Sequence, residues 1–186
     1  MINKISVFLS EGIGLKLNSS DNEKEVYAYS IEVLLSLLLN LLFLSTAAYI
    51  LNKKLELLVF IIFLSGLKVY AGGYHSKTHL ECFSVTLIAF LISALSNTYL
   101  IAYGEIILAI GILFSTIMVF LLAPAENENK PLSKKEKSKY KLISRIIVIV
   151  LSLAAVALYF VRVSTGYIYI TAVVAMVIES VSLLRK

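Results

Sequence analysis

Residues 72–83 read Gly-Gly-Tyr-His-Ser-Lys-Thr-His-Leu-Glu-Cys-Phe and form a polar interruption between two long apolar stretches. They contain both histidines of the chain, His75 and His79, and its one cysteine, Cys82. Ionisable groups at membrane depth are energetically costly, so those that do occur there usually have a function. We therefore expect the chemistry of this protein in this segment, with the rest of the chain arranged around it.

The composition of the chain is typical of a membrane protein. Hydrophobic residues make up 59% of its 186 residues and charged residues only 16%, far from the balance of a soluble domain. A single cysteine excludes an intrachain disulfide, so Cys82 is either a buried small apolar residue or a reactive thiol.

Apolar runs extend on both sides of the polar interruption. A bilayer core requires about 20 apolar residues in a helix. The runs that reach or approach this length are residues 33–51, 55–71, 83–123 (long enough to cross twice, with a turn at 97–104), 142–161 and 164–184. The sequence predicts an all-α polytopic membrane protein with about six transmembrane helices in one domain, residues 1–186. Because Glu56 and Lys68 shorten the second run, a re-entrant segment is its alternative.

Two polar regions flank the apolar runs. Residues 1–29 mix apolar and charged positions and predict an amphipathic N-terminal helix rather than a signal peptide. That helix would lie either on the protein's own surface or in the membrane interface. Residues 124–141 contain two prolines, three glutamates and six lysines, and they predict a basic cytoplasmic loop.

The basic residues set the orientation, because short cytoplasmic loops carry the excess of positive charge. With six crossings and the N-terminus inside, 14 of the 17 lysines and arginines fall on the cytoplasmic side. The other three are Lys53, Lys54 and Arg162. This bias predicts that residues 68–82, the candidate catalytic loop and helix start, lie at the cytoplasmic face.

The four residues Thr78-His79-Leu80-Glu81 fit the capping-box pattern of a helix start, directly before an apolar run. Thr78 is therefore predicted to cap the third transmembrane helix, with Cys82 in its first turn. The positive end of a helix, with a lysine and histidines nearby, favours the thiolate, which is the nucleophilic form of cysteine.

Either histidine could serve Cys82 as a base. In one continuous helix His75 and Cys82 would lie ~10.5 Å apart, too far for the hydrogen bond that a general base requires. His79, three residues before Cys82, would be within reach. If the helix begins after His75, however, Gly72–Gly73 allows the preceding loop to fold back over the first turn. Spacing favours His79, and the glycines keep His75 open.

The same three residues also allow a metal site. At i, i+4 and i+7, His75, His79 and Cys82 could share one helical face and bind zinc. The glutamate of the His-Glu-x-x-His motif is absent, so a metalloprotease of that type is not indicated. The main interpretation requires no metal and no cofactor, and metal binding is kept as an alternative.

The run Tyr70-Ala-Gly-Gly-Tyr-His75, followed by Cys82 seven residues after the histidine, resembles the accessory gene regulator B (AgrB) family of bacterial membrane endopeptidases. Asn129-Lys-Pro-Leu132 before the lysines, the total length and the amphipathic N-terminus are similar to the same family. The resemblance implies that His75 and Cys82 are the catalytic pair. Members commonly carry an arginine where this chain has Lys68, and lysine lacks the planar fork of arginine.

The resemblance also implies the reaction and the partners. Cys82 would cleave the C-terminal tail from an AgrD-like precursor peptide through a thioester and promote closure of a thiolactone ring for quorum sensing. The protein would be a multi-pass protein of the bacterial plasma membrane and a homodimer, with no nucleic-acid partner. Residues that could bind substrate or support the pair are Lys68, Gly72, Gly73, Lys77, His79 and Glu81. No third catalytic residue is assigned, and N–H groups at the helix start are candidate oxyanion donors.

Two alternatives remain open in the sequence. The lysines of residues 130–141 could simply fix topology and meet anionic headgroups, or they could attract an acidic region of a precursor. The whole protein could instead be a non-enzymatic helical membrane protein, such as a peptide exporter, in which the histidines and Cys82 line a path.

Overall fold

The computed structural model describes residues 2–17, 19–74, 78–125, 132–162 and 166–184. All regular elements in these ranges are helices, which confirms the all-α prediction. They are α1 Ile2–Leu17, α2 Asp21–Ile50, α3 Lys54–Ala71, α4 His79–Tyr99, a 3-10 turn Ile101–Tyr103, α5 Gly104–Leu122, α6 Lys134–Phe160 and α7 Ile168–Ser182.

The chain divides into two compact units, residues 1–47 and 48–186. In the first unit, α1 turns its small residues Ser6, Ser10 and Gly14 inward and leaves Phe8 and Leu15 about three-quarters exposed. The Gly14 position is tight, since a Cβ there would lie 2.6 Å from Cγ of Lys24. An inward face of small residues and an outward apolar face suit a helix that meets lipid headgroups.

In the second unit α7 is the central helix and packs against α3, α4, α5 and α6. Ten of its 15 residues are buried, because Glu179 is its one charged residue and most of the others are apolar or small. Glycines on α5 allow that helix to approach α7 closely, since a Cβ at Gly111 would lie 2.3 Å from Cγ1 of Val173. The last helix of the chain is thus the core of this unit.

Within the part of the chain that the structure describes, four helical segments are long and apolar enough to cross a membrane: α2, α4, the segment Ile101–Leu122 that contains α5, and α6. On α5 the residues Ile106, Ile110, Leu113 and Ile117 are exposed and share one face, as expected of a surface in contact with lipid. α7 is apolar but shorter. The protein is therefore a multi-pass membrane protein, and the prediction of about six crossings stays a prediction.

The structure confirms one predicted turn between helices, and two helices begin earlier in the chain than the sequence predicts. The predicted turn at 97–104 separates α4 from α5. At the N-terminus α2 already begins at Asp21, so the predicted N-terminal segment 1–29 includes its first turns. The predicted basic loop 124–141 is helical from Lys134, because Ser133 and Glu136 form a complete capping box that starts α6.

Candidate functional site

The loop after α3 begins with two glycines in left-handed conformations, with φ of 77° at Gly72 and 125° at Gly73. Gly72 forms a parallel bridge with Ala125, whose N–H donates to the carbonyl of Ala71 at 2.8 Å. A Cβ at Gly72 would lie 2.2 Å from the Ala125 carbonyl oxygen. The backbone after α5 therefore holds the start of the loop, and only glycine fits there.

Gly73 lies against the C-terminal end of α7. A Cβ at this residue would lie 2.3 Å from Oγ of Ser182 and 2.8 Å from Oε1 of Glu179. The same two side chains contact each other, since Ser182 Oγ donates to Glu179 Oε1 at 3.0 Å. The carboxylate of Glu179 and the hydroxyl of Ser182, both from the central helix, therefore contact the loop.

Lys68, in the last turn of α3, contacts both the loop and Glu179. Its Nζ donates to the carbonyl of Tyr74 at 3.1 Å and lies 3.5 Å from Glu179 Oε2. Glu179 is only 2% exposed, whereas about a third of the Lys68 side chain is exposed. A buried carboxylate needs such a partner, because an unpaired charge in an apolar surrounding is strongly destabilising.

Thr78 caps α4 as the sequence predicts. Its Oγ1 accepts from the N–H of Glu81 at 3.2 Å, and the N–H of Cys82 donates to the Thr78 carbonyl at 3.0 Å. The hydroxyl of Tyr74 donates to Oε1 of Glu81, so this carboxylate also ties the loop to the helix start. Because the N–H groups of Glu81 and Cys82 are engaged, an oxyanion hole would have to come from other donors.

Cys82 occupies the first turn of α4 and is half-buried. His79 is the first residue of the same helix and is exposed. His75 and Lys77 lie outside the described residues, so the structure does not test which histidine faces the thiol. Among the residues it does describe, no group of three or more His, Cys, Asp or Glu side chains could hold a metal ion.

A groove lies beside the loop. It has a volume of about 620 Å³ and runs along the end of α5 and the start of α6. Its lining includes Ala125, which bridges Gly72, together with Lys137 and Lys141 from the first two turns of α6. The predicted basic region therefore presents two of its lysines from an ordered helix at this groove.

A second polar cluster lies at the other end of α3. Lys53 Nζ donates to Glu56 at 2.9 Å, to Asn97 at 2.8 Å and to Thr98 at 3.0 Å. Asn97 Nδ2 in turn donates to Glu56 Oε1 at 3.0 Å. These bonds fasten the start of α3 to the end of α4.

Sequence reasoning placed Lys68, Gly72, Gly73, Glu81 and Cys82 in one region. In the structure Lys68 and Glu81 both contact Tyr74 of the loop, and Cys82 follows Glu81 in the first turn of α4. Glu179 and Ser182 were not among the candidate site residues predicted from the sequence. A usable indication existed, since Glu179 and Lys68 are opposite charges near the same predicted end of two apolar runs.

The chain matches a known protein family over nearly its whole length and individual proteins over three-quarters of it. The family described as accessory gene regulator B matches residues 2–183. An AgrB-like protein of Clostridium perfringens strain SM101 is 31% identical over 148 residues, which are 75% of this chain and 68% of that protein. AgrB-like protein 2 of Clostridium perfringens strain 13 is 30% identical with the same coverage. An AgrB-like protein of Clostridium beijerinckii is 27% identical over 145 residues, 75% of this chain and 71% of that protein. No solved structure matches.

Proposed function

Because the chain belongs to the accessory gene regulator B family, we propose that it is a membrane cysteine endopeptidase acting on a small precursor peptide. Family membership and the apolar helices support a role in quorum-sensing peptide processing by a multi-pass bacterial membrane protein. The finer proposal is that the chain removes the C-terminal tail of an AgrD-like precursor and closes a thiolactone ring.

One observation carries this proposal: the half-buried Cys82 lies in the capped first turn of α4, and residues 72–74 before that helix are held by contacts with Ala125, Glu179 and Glu81. A thiol in this position can act as a nucleophile once a neighbouring base accepts its proton. A rigid surrounding also matters, since catalytic groups must be held close to productive geometry.

In the proposed first step, the Cys82 sulfur attacks the carbonyl carbon at the end of the future signal peptide. His75, assigned by the family motif, accepts the thiol proton. The tetrahedral intermediate collapses with cleavage of the C–N bond, and His75 returns that proton to the leaving amine of the tail. The products are a free tail and a thioester between the remaining peptide and Cys82.

In the proposed second step, a thiol within the bound peptide attacks the thioester carbonyl. Its proton passes to the Cys82 sulfur as the enzyme thioester breaks, so the thiol of the enzyme is regenerated and a thiolactone is released. The exchange keeps the activated acyl bond and requires no oxidant or nucleotide. It does require that the internal thiol is held close and that water is excluded.

The side of the membrane and the oligomeric state are part of the proposal. The distribution of lysines and arginines supports a cytoplasmic site, and the family resemblance supports a homodimer. The mass of the detergent-solubilised protein tests the dimer.

The test uses the full chain reconstituted in vesicles of known orientation, with a candidate precursor added without ATP. We expect cleavage when the peptide is supplied on the side that carries the N-terminus. We also expect a trapped covalent adduct in the wild type and at least about a thousandfold loss in Cys82→Ser and Cys82→Ala. Ser84→Ala is the matched control, because it removes a hydroxyl that donates to the Leu80 carbonyl one helical turn back.

Several outcomes would decide against the proposal. Cleavage that persists without the Cys82 thiol would remove the peptidase assignment, and transport of an uncut peptide would favour the exporter alternative. Loss of activity with a chelator would revive the metal alternative. Comparing His75→Ala with His79→Ala identifies the base, and we expect the larger loss at His75.

A further inference from the structure

We propose that Glu179 of the central helix is a positioning residue, which through Lys68 holds the peptide bond leading from Tyr74 into His75. This inference rests on the proposed function, because it states how the catalytic histidine would be presented. It is carried by side chains of α3 and α7 that contact a loop belonging to neither helix.

The first step concerns the lysine. Lys68 Nζ donates to the Tyr74 carbonyl at 3.1 Å, and that carbonyl belongs to the peptide unit whose nitrogen is that of His75. A lysine has three donors on a flexible stem and by itself adopts many positions. The Glu179 carboxylate, 3.5 Å away and 2% exposed, restricts the ammonium to the side where the loop carbonyl lies.

The second step concerns the carboxylate itself. Glu179 Oε1 accepts from Ser182 Oγ at 3.0 Å, one helical turn further along α7. Its other oxygen faces Lys68. Both oxygens therefore have a partner, so this buried carboxylate has a fixed orientation rather than a choice of rotamers.

The third step concerns the loop backbone. Glu179 and Ser182 lie so close to Gly73 that a Cβ there would overlap both. Gly72 also contacts Ala125, and the Tyr74 hydroxyl donates to Glu81, the residue before Cys82. The segment 72–74 is thus held between α7, the strand-like residue after α5 and the first turn of α4. Moving Glu179 would release one of these contacts and the lysine bond together.

A purely structural role for Glu179 makes a different prediction. An ion pair that only joined α3 to α7 would need no contact with Tyr74 or Gly73, and its loss would lower stability without changing turnover of the folded protein. The experiment therefore measures turnover and folding separately in the full-length reconstituted chain.

The variants are Glu179→Gln, Lys68→Met, the double variant, and Lys68→Arg. We expect Glu179→Gln and Lys68→Met each to lower kcat for precursor cleavage by about tenfold to a hundredfold with KM changed by less than about threefold. The double variant should lose no more than the worse single variant, since residues that act as one unit are not additive. Lys68→Arg should retain most of the turnover, because it keeps the charge.

Glu56→Gln is the matched control, a glutamate that also pairs with a lysine but at the other end of α3. It should keep the wild-type kcat in the folded fraction. An unchanged kcat in Glu179→Gln, or losses that simply multiply in the double variant, would overturn the inference. If Lys68→Met fails to fold, Glu179→Gln and Lys68→Arg test the inference instead. Glu179→Gln preserves the volume of the glutamate side chain, and Lys68→Arg preserves the charge of the lysine.

A second readout separates this inference from the proposed reaction. Hydrogen exchange is measured on peptides that cover residues 71–74, where the Gly72 N–H donates to the Lys68 carbonyl at 3.1 Å. We expect faster exchange there in Glu179→Gln and unchanged exchange around Lys53 and Asn97. If the wild type cleaves no precursor, the proposed function fails, and hydrogen exchange then tests the positioning role by itself. Equal exchange rates in Glu179→Gln and in the wild type would overturn that role.

Discussion

A lysine–glutamate pair lies at each end of helix α3: Lys53 with Glu56 at its start, and Lys68 with Glu179 of α7 at its end. The two pairs are ~22 Å apart, from 15 residues at 1.5 Å each. Lys53 and Glu56 form bonds to Asn97 and so join the ends of two regular helices. Lys68 and Glu179 instead face a loop, and the lysine donates to the backbone of that loop at Tyr74.

The two ends also differ in burial and in the space around them. Both members of the Lys53–Glu56 pair keep 13–18% of their side chains exposed, whereas Glu179 keeps 2%. At the Lys68 end two glycines pack so closely that neither could carry a side chain. The difference indicates that a lysine–glutamate pair bonded to a neighbouring helix end contributes to stability, whereas one set against irregular backbone fixes a local geometry. Three predictions test that contrast.

The largest effect is expected from Gly73→Ala. Its Cβ would overlap Ser182 and Glu179, and the residue has a φ of 125° that alanine rarely adopts. We expect a loss of precursor cleavage of at least about a hundredfold, because the segment leading to His75 must move.

The matched control is Gly66→Ala, in the middle of α3, where a Cβ would lie 3.5 Å from Cδ1 of Leu151. This substitution should keep activity and stabilise the protein by about 0.5–1 kcal/mol, as expected for a helix interior. Equal losses at both positions would mean that the loop end has no special role.

An intermediate effect, on stability alone, is expected from Lys53→Met. It leaves Glu56 and the side-chain amide oxygen of Asn97 without their lysine donor, which should lower the free energy of unfolding by about 1–3 kcal/mol. The unfolding midpoint in detergent should fall, while kcat of the folded fraction should stay at the wild-type value. A fall in kcat as large as that of Lys68→Met would erase the distinction between the two ends of α3.

The smallest effect is expected from Tyr74→Phe. The change removes the hydroxyl that donates to Glu81 but keeps the ring and the backbone carbonyl held by Lys68. One lost hydrogen bond corresponds to a decrease of kcat of about threefold to tenfold. Tyr70→Phe is the control, since the ring of Tyr70 packs against Tyr140 at 5.8 Å and should tolerate loss of its hydroxyl. An equal response in both variants would contradict a specific role for the loop tyrosine.

Local patterns predicted the start of α4 well and the start of α6 less well. The cap at Thr78 depends on four consecutive residues, so the sequence contains all the information that it needs. Residues 134–141 were predicted as loop because lysine-rich segments are polar, but the same lysines are good helix formers once Ser133 and Glu136 cap them. Polarity decides whether a segment lies in hydrocarbon, and it does not decide whether that segment is helical.

The pairing of Lys68 with Glu179 could not be predicted in the same way. The two residues are 111 positions apart, and each reads as an isolated charge at the edge of an apolar run. Only the packing of α7 between α3, α4, α5 and α6 brings the carboxylate to the loop. The bridge between Gly72 and Ala125 depends on the same packing, since Ala125 follows α5 in the sequence.

The sequence by itself determined the helical membrane class, the family, and the glycine loop with Cys82 at a helix start, because apolar length, capping and short motifs are local properties of the chain. The tertiary structure alone decided that the last helix lies at the centre and that its glutamate faces the loop. The reason is that a helix in which nearly all residues are apolar or small can pack in many buried positions, so its neighbours are chosen by the packing of all the helices together.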